Sequence, residues 1–352
     1  MNEALAHVLE RLKSYDGRKV KIMEVCGTHT SSIFKNGIRG LISPKIELIS
    51  GPGCPVCVTS ASYVDKLLEY AYAKNTCVLT FGDMMKVKGT KESLTQSIAR
   101  GGNVQILYSP LAAISIAQEN PQTNYIFAAV GFETTVPIYG ILLEEMEKLK
   151  IQNLKLVTSM KKIIPALELI CSQEKQIDGF LCPGHVSVIT GSDCFVSLAK
   201  RYQKPFVVAG FEAEHILVAI DEVMNQLFEK RAEVVNHYTN AVTSEGNRKA
   251  QVLMEKYFTV SSDYWRGIGM ISDSALVIRK EFEQFDGGKK ITVVEEQLPK
   301  GCQCAQVIMG RIHPNQCPLF GKQCTPQDAI GPCMVSSEGV CGIWYKNREM
   351  GI

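Results

Sequence analysis

From Val20 to about Asn236 short apolar runs alternate with helical patterns, and this alternation constrains the fold more than any other feature. Strands are expected at Val20–Val25, Ile46–Ser50, Thr76–Phe81, Val104–Tyr108, Tyr125–Val130, Leu154–Thr158, Gly179–Leu181 and Phe206–Ala209. Between them lie amphipathic stretches such as Tyr63–Ala71, where Val64, Leu67, Leu68 and Ala71 share one face. Strand–helix alternation of this kind implies mostly parallel sheets covered by helices, an α/β class. Two stretches echo one another, YIFAAVGFETT at Tyr125–Thr135 and PFVVAGFEAEH at Pro205–His215. Each reads as a buried strand ending in Gly-Phe-Glu before a helix, the strand end at which α/β proteins place their sites.

The pattern weakens after Asn236. Asp286–Lys290 reads as a turn or linker, and Gly301 to Gly342 is dense in Cys, Pro and Gly. Such a segment is expected to bury little apolar surface and to need a metal centre to hold it. The expected organisation is therefore residues 1–120 and 121–236 as two α/β domains, with 237–352 as a cysteine-rich C-terminal iron–sulfur domain.

Composition excludes several classes. The 352 residues are 45 % hydrophobic and 21 % charged, ordinary for a folded chain, and the formal net charge of +2 leaves neither a nucleic-acid footprint nor a polybasic membrane patch. No stretch approaches the roughly 18 consecutive apolar residues of a membrane span. Glu3, Glu10 and Arg11 lie among the N-terminal apolar positions, and Leu5, Val8, Leu9 and Leu12 fall at the spacing of an amphipathic helix rather than a secretory segment, so a cytoplasmic location is expected. In a reducing compartment thirteen cysteines point to metal binding or thiol chemistry.

Six cysteines crowd the C-terminal stretch: Cys302, Cys304, Cys317, Cys324, Cys333 and Cys341. Soft thiolates suit Zn²⁺ or iron–sulfur clusters. Structural zinc sites pair their ligands as C-x2-4-C knuckles, a spacing absent here, and irregular gaps with prolines suit loops around a cluster. Zinc and inert buried thiols are the alternatives.

Further upstream, Cys54-Pro55-Val56-Cys57 follows a strand and precedes the Tyr63 helix, whose expected cap is Thr59 or Ser60. A C-x-x-C pair at a helix N-terminus sits where the dipole favours thiolate and can open and close a disulfide. Cys26 ends the first strand in Glu24-Val25-Cys26-Gly27-Thr28-His29-Thr30. A lowered thiol pKa is expected there, with His29 as proton partner or neighbour of a bound ion, although a lone strand-end cysteine is more often structural. His185 lies at a similar strand-to-loop transition and is read equally as a site or a loop histidine. Cys77, Cys171 and Cys194 read as small core residues. Neither a phosphate loop nor a dinucleotide fingerprint occurs.

Taken together, EVCGTHT, GPGCPVC, TFGDMMKVKGT, VGFETT, CPGHVSVITG and CPLFGKQCTPQDAIGPCMVSSEGVCGIWY resemble the HypD family of hydrogenase maturation factors, from about Lys21 to Tyr345. The resemblance implies two α/β domains and a third carrying a [4Fe–4S] cluster. It implies a scaffold on which the Fe(CN)₂CO unit of [NiFe] hydrogenases is assembled, with a HypC-type chaperone and a HypE-type cyanide carrier as partners, and no nucleic acid or membrane. By motif, Cys26 would ligate the iron with His29 close by, and Cys54 and Cys57 would be the redox dithiol. Cys304, Cys317, Cys324 and Cys341 would hold the cluster, with Cys302 and Cys333 in reserve. Any turnover would be thiol and iron–sulfur redox chemistry. A cluster-dependent disulfide reductase, of the ferredoxin–thioredoxin reductase kind, is the rival function. The chain departs from the family pattern at Ala213-Glu214-His215 and at Lys88.

Overall fold

A computed structural model describes residues 3–288 and 298–348. Its strands, in chain order, are β1 (Val20–Glu24), β2 (Ile46–Ser50), β3 (Thr76–Thr80), β4 (Val104–Ile106), β5 (Asn124–Gly131), β6 (Leu154–Lys161), β7 (Gly179–Cys182), β8 (Phe206–Val208), β9 (Val234–Asn236), β10 (Phe258–Trp265) and β11 (Gly269–Ile278). One sheet has the order β2-β1-β7-β8-β9 and every pairing in it is parallel. The other has the order β10-β11-β6-β5-β3-β4. There β6, β5, β3 and β4 run parallel, while the β10–β11 hairpin joins β6 antiparallel. The α/β class, with two mostly parallel sheets and a cysteine-rich C-terminal region, is as expected.

Strands covered by helices on both faces read as unbroken apolar runs, which is why these were legible. In β5 every side chain from Tyr125 to Gly131 is buried. The helix Ala61–Ala71 turns Val64, Leu67, Leu68 and Ala71 inward, and the Ser60 hydroxyl accepts from the Tyr63 N–H at 3.2 Å to cap its first turn. Val64, Leu67 and Leu68 each contribute about 1.5–3 kcal/mol when fully buried. The N-terminal helix Glu3–Ser14 likewise buries Val8 and Leu12, with Leu5 and Leu9 packed beside them.

β9, β10 and β11 were not expected. β10 is an outer strand in which Thr259, Val260 and Ser262 are exposed, and its register slips between Ser261 and Asp263. An irregular, half-solvated edge strand carries too weak an alternation to read from sequence. The turn expected at Asp286–Lys290 is described only to Gly288; Lys289 and Lys290 lie outside the described residues, as do Met1 and Asn2.

The chain forms two compact units, each discontinuous in sequence. The first comprises Met1–Cys54, Ala166–Arg248 and Pro299–Ile352, and the second Pro55–Pro165 and Lys249–Leu298. Divisions at 120 and 236 do not coincide with these units. The reason is topological: β7 pairs with β1 across more than a hundred residues, and the β10–β11 hairpin completes the sheet begun by β3. The cysteine-rich segment also buries more apolar surface than its composition implied. Val307, Ile308, Met334, Val340, Ile343 and Trp344 are all buried. Trp344, on the helix Val340–Lys346, meets Phe34, on the helix Gly27–Lys35, edge-on at 5.0 Å. Among the described residues no helix is long and apolar enough to cross a membrane.

Candidate metal centre

β1 ends at Glu24, and two residues later Cys26 occupies the N-cap position of the helix Gly27–Lys35 with extended backbone, φ −149° and ψ 127°. The first N–H groups of a helix lack partners within it, and an N-cap side chain meets them. Here that side chain is a thiol. The Thr28 and His29 N–H groups and the Thr28 hydroxyl face the Cys26 sulfur and favour thiolate, but burial outweighs them and pushes the thiol up to about 11. The lowered pKa expected from sequence is therefore corrected, because desolvation of a strand end under neighbouring loops does not show in the local motif. The Ser50-Gly51-Pro52-Gly53 turn runs directly over this position. A Cβ on Gly53 would lie 2.8 Å from the Cys26 Cα and from the Gly27 nitrogen, so only glycine permits the approach.

Glu24 is a site residue that sequence reading missed. Its carboxylate is 1 % exposed and accepts from the Thr30 hydroxyl at 2.6 Å and from the Ser50 hydroxyl. Burial raises it to about 7, and Oε2 has no hydrogen-bond partner. Arg39 lies between Glu24 and Glu47 electrostatically and stacks over Phe34 and Trp344. A carboxylate inside an apolar strand was the available signal.

His29 is fully buried, and Nε2 lies 3.3 Å from the Ala209 carbonyl oxygen and 3.1 Å from that of Gly210. Burial pushes its imidazole down to about 4. Phe211 lies tilted against it at 4.8 Å, and His185, exposed, stacks on Phe211 at 4.1 Å. His29 and His185 thus belong to one aromatic group at the carboxyl ends of β1, β7 and β8.

Cys54 and Cys57 are disulfide-bonded; the other eleven cysteines form no disulfide. The α-helix that follows is capped at Ser60, one of the two expected caps, and Cys57 precedes it. Cys57 sits in a 3-10 turn, Val56–Val58, and the α-helix starts at Ala61. Pro55 sets that turn, and the Thr59 hydroxyl closes it on the Pro55 carbonyl at 2.9 Å. Thr59 also meets the Ser159 hydroxyl of β6 at 3.3 Å.

The C-terminal cysteines converge. Cys302, Cys304, Cys317, Cys324 and Cys341 line one pocket with Leu319, Phe320 and Met334. Cys333, wholly buried, shares hydrogen bonds with Cys304 and Cys341; Cys302 and Cys333 push the Cys304 thiol up, Cys304 pushes Cys341 up, Cys341 pushes Cys333 up against the opposing pull of Cys304, and burial adds to all three. A Cβ on Gly331 would lie 2.5 Å from the Cys304 sulfur and 2.7 Å from that of Cys302, so this glycine lets the loop close on the thiols. Cys304 opens the helix Cys304–Ile308, and Cys341 lies in the helix Val340–Lys346. Cys317 and Cys324 come from the loop between them. Among the described residues, no three His, Cys, Asp or Glu side chains surround a single ion. Cys77 and Cys171 are buried core thiols, and Cys194, half-buried, donates to the Gly191 carbonyl at 3.0 Å.

Fold and site together define a thiol-rich α/β protein with one disulfide and a convergent set of C-terminal thiols. The family model described as "HypD: Hydrogenase formation hypA family" matches residues 2–348. The chain is 39 % identical to the hydrogenase maturation factor HypD of Escherichia coli, over 99 % of this chain and 95 % of that protein. It is 38 % identical to the HypD of Azotobacter vinelandii, over 93 % of this chain and 89 % of the relative. Against a putative hydrogenase expression/formation protein of Methanocaldococcus jannaschii it is 37 % identical, over 94 % and 93 %. The chain belongs to the HypD family of hydrogenase maturation factors.

Proposed function

We propose that this chain is the scaffold on which an iron ion receives its cyanide and CO ligands before delivery to a [NiFe] hydrogenase. The observation that carries the proposal is the Cys26 thiol just beyond the carboxyl end of β1, faced by two helix N–H groups. With its pKa near 11 the thiol is neutral when no metal is present. A divalent iron displaces that proton, and the N–H groups then stabilise the thiolate that results. The second thiolate comes from a small HypC-type chaperone, so the cargo is shared between two chains and released when they part.

Cyanide arrives as a thiocyanate on a HypE-type carrier. Its carbon–sulfur bond breaks with uptake of two electrons, giving cyanide and a carrier thiolate. Reduced Cys54 and Cys57 supply those electrons, becoming a disulfide and releasing two protons. The C-terminal thiols fit a [4Fe–4S] cluster by the chemistry of the donor set: soft sulfurs from Cys304, Cys317, Cys324 and Cys341 line one pocket, with Cys302 beside them. When bound, such a cluster supplies one-electron exchange. The chain works in the cytoplasm, with its partners.

The test is anaerobic co-expression with a HypC-type partner and infrared spectroscopy of the complex. Cys26→Ala is expected to keep partner binding and iron–sulfur absorption while losing the cyanide and CO bands. Bands of full intensity in that variant would place the diatomic-bearing iron elsewhere. Protein disulfide reduction by the isolated chain, with no bands in any complex, would favour the reductase.

A further inference from the structure

The His29 ring is held in one tautomer. Carbonyl oxygens only accept, so a ring nitrogen close to two of them carries the hydrogen. Nε2 is that nitrogen, facing Ala209 and Gly210. Nδ1 is then a bare lone pair, and it is enclosed with no hydrogen-bond partner. A histidine that merely tied the helix to the end of β8 would be expected to satisfy both nitrogens, as buried polar groups generally do. His29 leaves one open.

The corner that imposes this arrangement is itself built. The Ser32 hydroxyl donates to the Phe211 carbonyl at 2.6 Å, fastening the corner to the helix that carries His29. Phe211 lies against the His29 ring, and His185 stacks on Phe211. Gly210 leaves no room for a side chain, since a Cβ would lie 2.4 Å from His215 Nδ1 and 3.1 Å from the Tyr238 ring.

We propose that the Ala209–Gly210–Phe211 corner is a positioning element that sets His29 as the Nε2–H tautomer and reserves Nδ1 as a lone-pair acceptor for the cargo held at Cys26. His29 then meets an iron ion or a proton-bearing group, and it does not donate to a cyanide nitrogen. This role rests on the reading of Cys26 as the cargo site; the tautomer itself does not.

Nitrogen-15 NMR of the full chain, labelled at histidine, tests the tautomer. At pH 7 His29 is expected to show a protonated Nε2 and an unprotonated Nδ1. Phe211→Leu and Phe211→Ala should convert this to a mixture. A protonated Nδ1 or a mixed signal in the unaltered chain would overturn the proposal. The role is tested in the partner complex by infrared bands of His29→Asn and His29→Gln. Asn presents its amide near the Nδ1 position, whereas Gln reaches the Nε2 position and its tie to the carbonyls. Loss of an outer polar partner typically costs at least about tenfold, so Gln should show bands about tenfold weaker than Asn. Equal bands, or Gln stronger than Asn, would make His29 a tie only. Full bands in Cys26→Ala would instead sink the cargo site and leave the tautomer standing.

Discussion

Gly27 and Glu338 are packed so closely that a Cβ on Gly27 would lie 2.4 Å from the Glu338 carbonyl oxygen. The backbone of the C-terminal segment therefore rests on the first residue of the Cys26 helix. Gly27→Ala improves helix propensity locally, yet it must push that segment away. Overpacking of this kind costs about 1–3 kcal/mol. A fall in stability of that size is expected in urea unfolding, and an unchanged or raised midpoint would show that the segment yields without cost.

The dithiol is predicted from counting. Eleven thiols should react in the denatured, unreduced chain and thirteen after reduction. A disulfide closing so short a loop stabilises by about 2 kcal/mol in the loop-entropy account. Cys54→Ala and Cys57→Ala should thus remain folded while abolishing maturation. Normal hydrogenase yield from either variant would remove the pair from the chemistry.

Much of this arrangement was legible, and the parts that were not share a cause. The apolar runs of β1 and β5 and the inward face of Ala61–Ala71 are local patterns, and the chain follows them. The direction of the Cys26 shift, the buried Glu24 and the open nitrogen of His29 are not local. Each depends on which distant segment covers the strand end: Gly53 over Cys26, Ser50 beside Glu24, Gly210 against His29. The two Gly-Phe-Glu echoes make the same point. Glu133 is 3 % exposed and accepts from the Ile163 N–H at 3.0 Å, whereas Glu212 faces solvent.

Glu133 carries a pH prediction. Burial raises its carboxyl from 4.5 to about 7. The folded chain holds a proton there that the unfolded chain has released, so the stabilisation is complete below about pH 4.5 and is lost as pH rises through about 7. Glu24 has the same sign. His29, pushed down to about 4, has the opposite one: its contribution is full above 6.5 and is lost as pH falls through about 4. Glu133→Gln imitates the protonated acid. Its stability relative to the unaltered chain should rise by about 1–3 kcal/mol between pH 4.5 and 8. A pH-independent difference would contradict the raised carboxyl.

Lys161 is 1 % exposed and is held by the Asp263 carboxylate and by the Tyr264 carbonyl at 2.8 Å. Asp263 is partly exposed, so removing it from the buried Lys161 costs about 3 kcal/mol, the low end for a buried pair. Asp263→Ala should destabilise by that amount, and adding Lys161→Met should recover most of it. Thermal unfolding of the single and double variants measures both, and additive losses would show no coupling.

Cys304→Ser and Cys341→Ser should each abolish the broad visible absorption of anaerobically purified protein and its acid-labile sulfide. Cys333 touches both thiols yet does not line the pocket, so Cys333→Ala should retain the chromophore. Stoichiometric zinc without sulfide in the unaltered chain would refute the cluster.

The first unit draws its closing segment from Pro299 onward. During synthesis β1 and Cys26 leave the ribosome early, while Trp344, which seats against Phe34, emerges some three hundred residues later. At roughly 5–20 residues per second, that interval is tens of seconds. A nascent chain therefore has an incomplete Cys26 region for most of its translation. If Cys26 holds the iron as proposed, a ribosome-stalled intermediate lacking the last segment should bind neither partner nor metal there.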